Sequence, residues 1–221
     1  MSDLLVTGTD TGVGKTVVAA ALILALRDRG VRAVGFKPVE TGMLAGEPAD
    51  SEILTEASGI DEPLARPLLR LGEPLAPAVA AERAGATFDP SQITQRFEAL
   101  RGAGYTVVVE GAGGVLTPLT WGFSVLDLAA TLGLPSVIVA RAGLGTLNHT
   151  MLTVGALRQR NVPVRGVVLN GRGDPPDLAE ETNPKALRRL LTGVAVVVSP
   201  RVGPGSLPAA RAILQLTQIL L

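Results

Sequence analysis

The stretch Gly8-Thr9-Asp10-Thr11-Gly12-Val13-Gly14-Lys15-Thr16 (GTDTGVGKT) decides the fold of this 221-residue chain. The apolar run before it, residues 4–7 (LLVT), predicts a buried strand, and residues 17–26 after it are rich in Ala and Leu and favour a helix. Glycines between a strand and a helix let the backbone turn several N–H groups toward one point, where the helix N-terminus adds partial positive charge. The stretch therefore predicts an anion-binding loop.

The end of this loop, Gly14-Lys15-Thr16, indicates which anion it binds. A lysine at this position reaches the terminal phosphates of a nucleotide, and the hydroxyl after it ligates Mg²⁺. The common loop has four residues between its first glycine and Gly-Lys-Ser/Thr, whereas five residues separate Gly8 from Gly14. The alternative is a glycine-rich turn before an ordinary helix. The order of strand, Gly-Lys-Thr and helix favours the phosphate-binding loop.

Length, charge and composition narrow the class of protein. A chain of 221 residues, 47% of them hydrophobic, favours one domain with an ample core. A formal net charge of zero gives no electrostatic reason to expect nucleic acid as a partner. The absence of cysteine excludes a disulfide framework, a thiolate metal site and a cysteine nucleophile. The longest apolar run, residues 17–26, is too short to span a bilayer, and a first strand at about Leu4 leaves no room for a signal peptide, so we expect a cytoplasmic protein with no membrane partner.

Apolar runs rich in β-branched residues recur between helical patterns along the chain. They lack polar alternation, as is typical of strands covered on both faces by helices. The predicted strands are residues 4–7, 31–36, 105–109, 135–140, 164–169 and 194–198, and the predicted helices are residues 15–29, 51–58, 91–101, 124–132, 146–160, 184–191 and 207–220. Residues 60–86 are interpreted as a long connection. We predict an α/β fold: a single-domain P-loop NTPase-like parallel sheet over residues 1–221, with helices on both faces.

Ligands collect at the carboxyl ends of the strands in such a sheet, and charged residues stand there. Lys37 follows the second strand and is a candidate cation for phosphate or substrate; the alternative is a solvated lysine at a strand end. Glu110 follows the third strand, where P-loop proteins carry an acid that holds Mg²⁺. Asp50 precedes a predicted helix, and a capping role alone would explain it.

Five motifs, in this order and at these separations, resemble the dethiobiotin synthetase family. They are GTDTGVGKT, GFKPVETG, VEGAGGVLTPL, LGTLNHTMLT and GVVLN, and they cover roughly residues 4–60 and 105–170. Residues 61–100 and the C-terminal region carry little of the resemblance. The five-residue spacing within the first motif belongs to this family's version of the phosphate loop.

The resemblance implies an ATP- and Mg²⁺-dependent ligase of biotin biosynthesis. Carbon dioxide adds to one amine of 7,8-diaminopelargonic acid to give a carbamate, and ATP phosphorylates the carbamate. The second amine then attacks this carbamic-phosphoric anhydride and expels phosphate, which closes the ureido ring of dethiobiotin. No protein nucleophile is required, so we expect cations, Mg²⁺ ligands and backbone donors in the site.

The resemblance also implies roles for individual residues. The implied catalytic residues are Lys37, Lys15 and Thr11. The implied nucleotide-binding residues are Gly12, Val13, Gly14, Lys15, Thr16, Val17, Asn170 and Glu110, with Asn170 reading adenine. The implied substrate-binding residues are Thr41, Lys37, Gly111, Gly114, Leu144, Gly145 and Asn148. The implied Mg²⁺ ligands are Thr16, Asp50 and Glu110.

The resemblance further implies a homodimer with active sites at the subunit interface. Residues 144–148 lead into a predicted helix, and free N–H groups at a helix N-terminus bind anions. In the family this segment binds the carboxylate of the diamine from the neighbouring subunit. The alternative is a plain turn between a strand and a helix.

Two positions depart from the family's pattern. Gly12 stands where other members can carry a glutamate. Residues 196–205 (VVVSPRVGPG) match the family's nucleotide-base loop only loosely and offer no acidic ligand for the ribose. The base preference is therefore left open at this point.

Two other classes share the loop and the sheet. A ParA/MinD-like switch ATPase carries a lysine early in the loop, where this chain has Asp10. A switch of this class that binds membranes would also need a basic amphipathic C-terminal helix, and residues 207–221 have no basic face. A cobyrinate amidase-type synthetase is joined to a glutaminase with a cysteine nucleophile, and this chain has neither the cysteine nor the length. Both alternatives are less favoured than the ligase.

Overall fold

The computed structural model describes residues 2–43, 46, 48–203 and 205–221. Pro204, part of the loosely matching segment near the C-terminus, lies outside the described residues. In chain order the elements are β1 (Leu4–Gly8), α1 (Lys15–Asp28), β2 (Ala33–Phe36), β3 (Val39–Thr41), α2 (Asp50–Ser58), a 3₁₀ turn (Pro63–Ala65), β4 (Leu69–Leu71), α3 (Pro77–Ala84), α4 (Ser91–Gly102), β5 (Thr106–Gly114), β6 (Pro118–Thr120), β7 (Phe123–Ser124), α5 (Val125–Leu132), β8 (Ser136–Arg141), α6 (Thr146–Gln159), β9 (Val164–Arg172), α7 (Leu178–Leu190), β10 (Ala195–Pro200), α8 (Leu207–Thr217) and a second 3₁₀ turn (Gln218–Leu220). None of the helices described is long and apolar enough to cross a membrane.

Six strands form one parallel sheet in the order β2-β5-β1-β8-β9-β10. Because successive side chains on a strand point to opposite faces, Leu4 and Val6 pack against α1, α2 and α8, whereas Leu5 belongs to the cluster formed with α4, α5, α6 and α7. Each face of the sheet therefore has its own apolar core. The predicted fold class, a parallel α/β sheet covered on both faces, is confirmed.

The strand that carries Glu110 is longer than predicted. The predicted strand ends at Val109, before a run of glycines, which are unfavourable inside a strand, yet β5 continues to Gly114. Val6 of β1 pairs with Glu110, and Gly8 pairs with Gly114, so the register shifts between these two pairs. The glycine-rich segment thus stays attached to β1, and Glu110 lies inside the strand next to the phosphate loop.

Helix α7 begins earlier than predicted. The predicted helix starts at Pro184, a residue type that is favoured in the first turn of a helix. The structure starts it at Leu178, with Asp177 as the N-cap and Pro184 inside the helix. The Asp177 carboxylate accepts the Glu180 N–H at 2.8 Å, and the Glu180 carboxylate accepts the Asp177 N–H at 3.0 Å. This reciprocal capping box, rather than the proline, sets the start.

The segment predicted as a long connection contains regular structure. Strand β4 pairs in parallel with β3, matching Leu69 with Val39 and Leu71 with Thr41. Helix α3 follows, with Pro77 at its first position. Scattered prolines hid both elements in the sequence. The small β3–β4 sheet lies beyond the end of β2, on the side of the fold where Lys37 is found.

Candidate active site

The phosphate loop joins the central strand β1 to helix α1. Gly14 is the N-cap of α1 with φ 94°, and a Cβ atom added at this position would lie 2.1 Å from Nδ2 of Asn170. Asn170 donates from the same Nδ2 to the carbonyl of Val13 at 2.9 Å. Glycine is therefore required at position 14 by both the left-handed backbone and the close approach of the asparagine.

Lys15 lies over this loop, with its side chain buried. Its Nζ donates to the carbonyl of Asp10 at 2.9 Å, which holds the ammonium near the open loop. Burial lowers the pKa of Lys15 to about 8; Glu110 opposes this shift, and Lys37 adds to it. A lysine that carries this desolvation penalty gains stabilisation from an anion placed beside it.

Four residues from separate parts of the chain meet behind Lys15. Glu110 Oε1 accepts from the hydroxyl of Thr16 at 2.9 Å and from Nζ of Lys37 at 2.7 Å. Lys37 also donates to Asp50 Oδ2. Lys37 and Glu110 are almost fully buried, whereas Asp50 is partly exposed. The structure therefore excludes the alternative of a solvated lysine at the end of β2.

These contacts set the charge of the cluster. Burial works against the ammonium of Lys37, but the carboxylates of Glu110 and Asp50 outweigh it and raise the pKa of Lys37 above its usual value. Burial likewise works against the Asp50 carboxylate, and Lys37 outweighs it, so the pKa of Asp50 lies below its usual range. Burial raises the pKa of Glu110, against the opposing effect of Lys37. A fixed cation thus lies between two acids at the edge of the phosphate loop.

The helix that carries Asp50 begins one residue earlier than predicted. Ala49 is the N-cap of α2, and Asp50 is its first helical residue, so Asp50 does not cap the helix. Its carboxylate points to Lys37 instead. Capping alone therefore does not explain Asp50, which is available to the site.

The oxygens in this cluster fit a magnesium ion. Glu110 Oε2 is buried and has no hydrogen-bond partner among the described residues. The other oxygen of this carboxylate accepts from the Thr16 hydroxyl, and Lys37 donates to both Glu110 and Asp50. Mg²⁺ takes oxygen ligands, and proteins hold it through one or two carboxylates while substrate phosphates and water complete the shell. Within the described part of the chain, no group of three or more His, Cys, Asp or Glu side chains suits a metal. Two carboxylates and a hydroxyl are consistent with that kind of shared Mg²⁺ site.

A cavity of about 950 Å³ runs from this cluster over the phosphate loop to the end of β9. Most of the residues named in the sequence analysis line it: Thr11, Gly12, Val13, Gly14, Lys15, Thr16, Val17, Lys37, Thr41, Asp50, Glu110, Leu144 and Asn170. The remaining four do not: Gly111, Gly114, Gly145 and Asn148. Gly111 faces Val125 instead, because a Cβ there would lie 2.7 Å from that side chain. Gly145 is the N-cap of α6, and Asn148 is exposed on its first turns.

Several cavity residues were missed by the sequence analysis. Arg141, at the end of β8, donates to the carbonyl of Thr11 at 3.2 Å and brings a further cation to the loop. Its position after an apolar strand is the same signal that singled out Lys37. Thr117, Pro74 and Arg201 also line the cavity, and the sequence carries no local signal for them.

Three features define this chain as a P-loop enzyme that acts on a nucleoside triphosphate. They are the phosphate loop, the buried acid on the neighbouring strand and the parallel sheet. A family profile described as an AAA domain matches residues 2–213. A solved structure of the cell division protein FtsY from Thermotoga maritima superposes with a TM-score of 0.54 at 17% identity, covering 97% of this chain and 68% of that one, which supports the fold alone.

Curated relatives identify the family within this class. The chain is 51% identical over 191 residues to the ATP-dependent dethiobiotin synthetase BioD of Anaeromyxobacter dehalogenans (strain 2CP-C), covering 86% of each chain. It is 44% identical to BioD of Rhodococcus jostii, covering 95% of this chain and 90% of that protein, and 38% identical to BioD of Bacillus licheniformis, covering 93% and 88%. The chain belongs to the ATP-dependent dethiobiotin synthetase family, so the resemblance found in the sequence is confirmed.

Proposed function

We propose that this protein is an ATP-dependent dethiobiotin synthetase, a ligase that closes the ureido ring of dethiobiotin from 7,8-diaminopelargonic acid, CO₂ and ATP. The observation that carries the proposal is the buried Lys37, held between Glu110 and Asp50 beside the phosphate loop. This arrangement supplies fixed charge next to the site of a transferred phosphoryl group, and the proposed reaction requires no nucleophilic side chain.

The reaction balances without a covalent enzyme intermediate. The lone pair of one substrate amine forms a bond to the carbon of CO₂, and loss of a proton leaves a carbamate. A carbamate oxygen bonds to the γ-phosphorus as the bond to ADP breaks. The second amine then bonds to the carbonyl carbon, loses its proton and displaces phosphate. The protein has to align three reactants and stabilise negative charge, which are effects of positioning and electrostatics.

Each charged residue has a place in this scheme. Lys15 contacts the γ-phosphate, since a desolvated ammonium above the loop favours an anion. Lys37 stabilises the charge that passes from the carbamate to the transferred phosphoryl group. Thr11 lies in the phosphate loop, near the phosphates and the carbamate. Mg²⁺ would be held by Thr16, Asp50 and Glu110, and it would supply charge neutralisation for phosphoryl transfer.

The far end of the cavity suits an adenine base. Asn170 lines this end, and its amide nitrogen donates a hydrogen bond to the carbonyl of Val13. The amide oxygen of Asn170 is buried and has no partner among the described residues. Such an acceptor pairs with the exocyclic amino group of adenine, whereas guanine presents a carbonyl at that position. We infer that ATP is the preferred nucleotide.

A product assay separates this proposal from a switch ATPase. We expect ADP release from MgATP to depend on both 7,8-diaminopelargonate and bicarbonate, and dethiobiotin to appear in an amount equal to the ADP. A ParA/MinD-like switch would hydrolyse ATP at the same rate with and without the diamine. That result from folded protein would refute the ligase function.

Glu110→Gln tests the metal assignment. The amide keeps the size of the side chain but removes its charge, so we expect the Mg²⁺ concentration for half-maximal activity to rise about ten-fold or more. Glu98→Gln is the control, because Glu98 is an exposed acid on α4 that pairs with Arg101. An unchanged Mg²⁺ dependence in Glu110→Gln would make Glu110 a structural residue.

The diamine carries a carboxylate far from its amines, and burying it requires donors. We propose that Thr41, which lines the cavity, contacts the reacting end, and that the segment Leu144-Gly145-Asn148 of a second subunit receives the carboxylate. Leu144 is 95% exposed, and Gly145 and Asn148 do not line the cavity of their own chain. These features support a shared site in a two-fold homodimer.

Asn148→Ala tests the shared site without backbone strain, because Asn148 is an exposed helical residue. Loss of a hydrogen bond to a carboxylate predicts a KM for 7,8-diaminopelargonate about ten-fold higher and an unchanged KM for ATP. Sedimentation at assay concentration should show a dimer. A fully active monomer would contradict the shared site and leave the nucleotide assignment intact.

A further inference from the structure

Glu40 is a buried acid that the proposed reaction does not use. It lies in β3 and is 2% exposed. A buried carboxylate is costly unless its oxygens are paired. Glu40 Oε1 accepts the backbone N–H of Ser51 at 2.9 Å, and Oε2 accepts the Ser51 hydroxyl at 2.8 Å and Nε of Arg70 at 3.1 Å. The side chain therefore joins β3 to the start of α2 and to β4.

The contact with Ser51 replaces a missing helix cap. N–H groups in the first turn of a helix have no partner within the helix, and a polar side chain at the N-cap usually accepts one of them. The N-cap of α2 is Ala49, which has no side-chain acceptor. Glu40 supplies that acceptor from a different element, so the position of the first turn depends on β3. Asp50 is the residue directly before Ser51 in that turn.

Arg70 closes the arrangement from the other side. Its Nη2 donates to Glu52 Oε1 at 3.1 Å, while its Nε holds Glu40. Glu52 in turn accepts the Ala49 N–H at 3.1 Å through its second oxygen. Arg70 thus connects β3 to α2, because it donates to Glu40 on β3 and to Glu52 on α2. It belongs to β4, in the part of the chain outside the family motifs.

We propose that Glu40, supported by Arg70, is a positioning residue that fixes the first turn of α2 and so holds the Asp50 carboxylate where it serves Mg²⁺. This inference rests on the proposed function of Asp50 as a metal ligand. Glu40 and Arg70 touch neither substrate nor metal in this account. Loss of the support would weaken Mg²⁺ binding while the phosphate loop, on β1 and α1, stays in place.

The test uses Glu40→Gln and Arg70→Gln in the full chain. The glutamine at position 40 presents an amide NH₂ where Oε2 accepts from Arg70. Arg66→Gln is the matched control, because Arg66 pairs with Asp61 and both side chains are 61% exposed. Two quantities are measured. The first is the Mg²⁺ concentration for half-maximal dethiobiotin formation. The second is the rise in melting temperature caused by ADP, measured once with Mg²⁺ and once with EDTA.

We expect the half-maximal Mg²⁺ concentration to rise about ten-fold in both variants, as is typical when a residue supporting a metal ligand is lost. In both variants Mg²⁺ should add less to the melting-temperature rise caused by ADP, whereas the rise caused by ADP in EDTA should equal that of the unaltered protein. Arg66→Gln should change neither the half-maximal Mg²⁺ concentration nor the melting-temperature rise. Folded variants with unaltered Mg²⁺ dependence would overturn the proposal. If Glu40→Gln does not fold, Arg70→Gln decides, since Arg70 is 42% exposed. If the unaltered protein makes no dethiobiotin, the ligase function fails, and the melting comparison still tests the positioning role.

Discussion

Replacing Lys37 with alanine is expected to lower turnover by about two orders of magnitude or more, the usual loss when preorganised charge is removed from a reaction centre. Lys37 is 5% exposed and paired with Glu110 at 2.7 Å and with Asp50, so its charge is held in one place. Single-turnover measurements with saturating MgATP, diamine and bicarbonate would show the loss in the chemical step rather than in ATP binding.

Two further variants make this result specific. Lys185→Ala removes an exposed lysine from α7 and should leave turnover unchanged. Lys37→Arg keeps the positive charge between the two carboxylates but changes its shape, so it should fold as well as the unaltered protein and still lose much of the turnover. A folded Lys37→Ala protein with nearly normal turnover would remove Lys37 from the reaction.

The substitution Gly14→Ala is expected to abolish detectable binding of ATP at millimolar concentration. Position 14 has φ 94°, and the new methyl group would lie 2.1 Å from Nδ2 of Asn170. The alanine would strain the left-handed backbone at position 14 and displace the amide of Asn170, the residue proposed to bind adenine. Isothermal titration with a non-hydrolysable ATP analogue measures the loss.

Gly12→Ala is the natural comparison for this result. Gly12 also has a positive φ, of 69°, but apart from its two chain neighbours no described residue has an atom within 4 Å of its added Cβ. Backbone strain alone, of about 1–3 kcal/mol, should weaken ATP binding far less than Gly14→Ala does. Equal effects of the two substitutions would show that contact with Asn170 does not control the loop.

The sequence was sufficient for the sheet and for the phosphate loop because their signals are local. Strands buried on both faces are continuously apolar, and a strand, Gly-Lys-Thr and a helix follow one another within the first 28 residues. Lys37 and Glu110 were found because parallel strands bring their carboxyl ends to one edge of a sheet.

The remaining features depend on pairings between distant residues. The sequence gives no sign that Arg70 lies beside Glu40, because β4 is a short strand within a proline-rich segment. The start of α7 was misplaced because a proline outweighed a capping box, and β5 was cut short because its glycines hid the continued pairing with β1. Arg141 was missed although it ends a strand as Lys37 does, because no motif drew attention to it.

Labelled bicarbonate shows whether this site joins carbon from CO₂ to a diamine at the expense of ATP. The purified protein is incubated with ¹³C-bicarbonate, 7,8-diaminopelargonate and MgATP, and the products are analysed by mass spectrometry and carbon NMR. We predict that the label appears in the ureido carbonyl of dethiobiotin, with ADP and phosphate formed in equal amounts. Folded protein that binds MgATP but places no label in a ureido product would contradict the account.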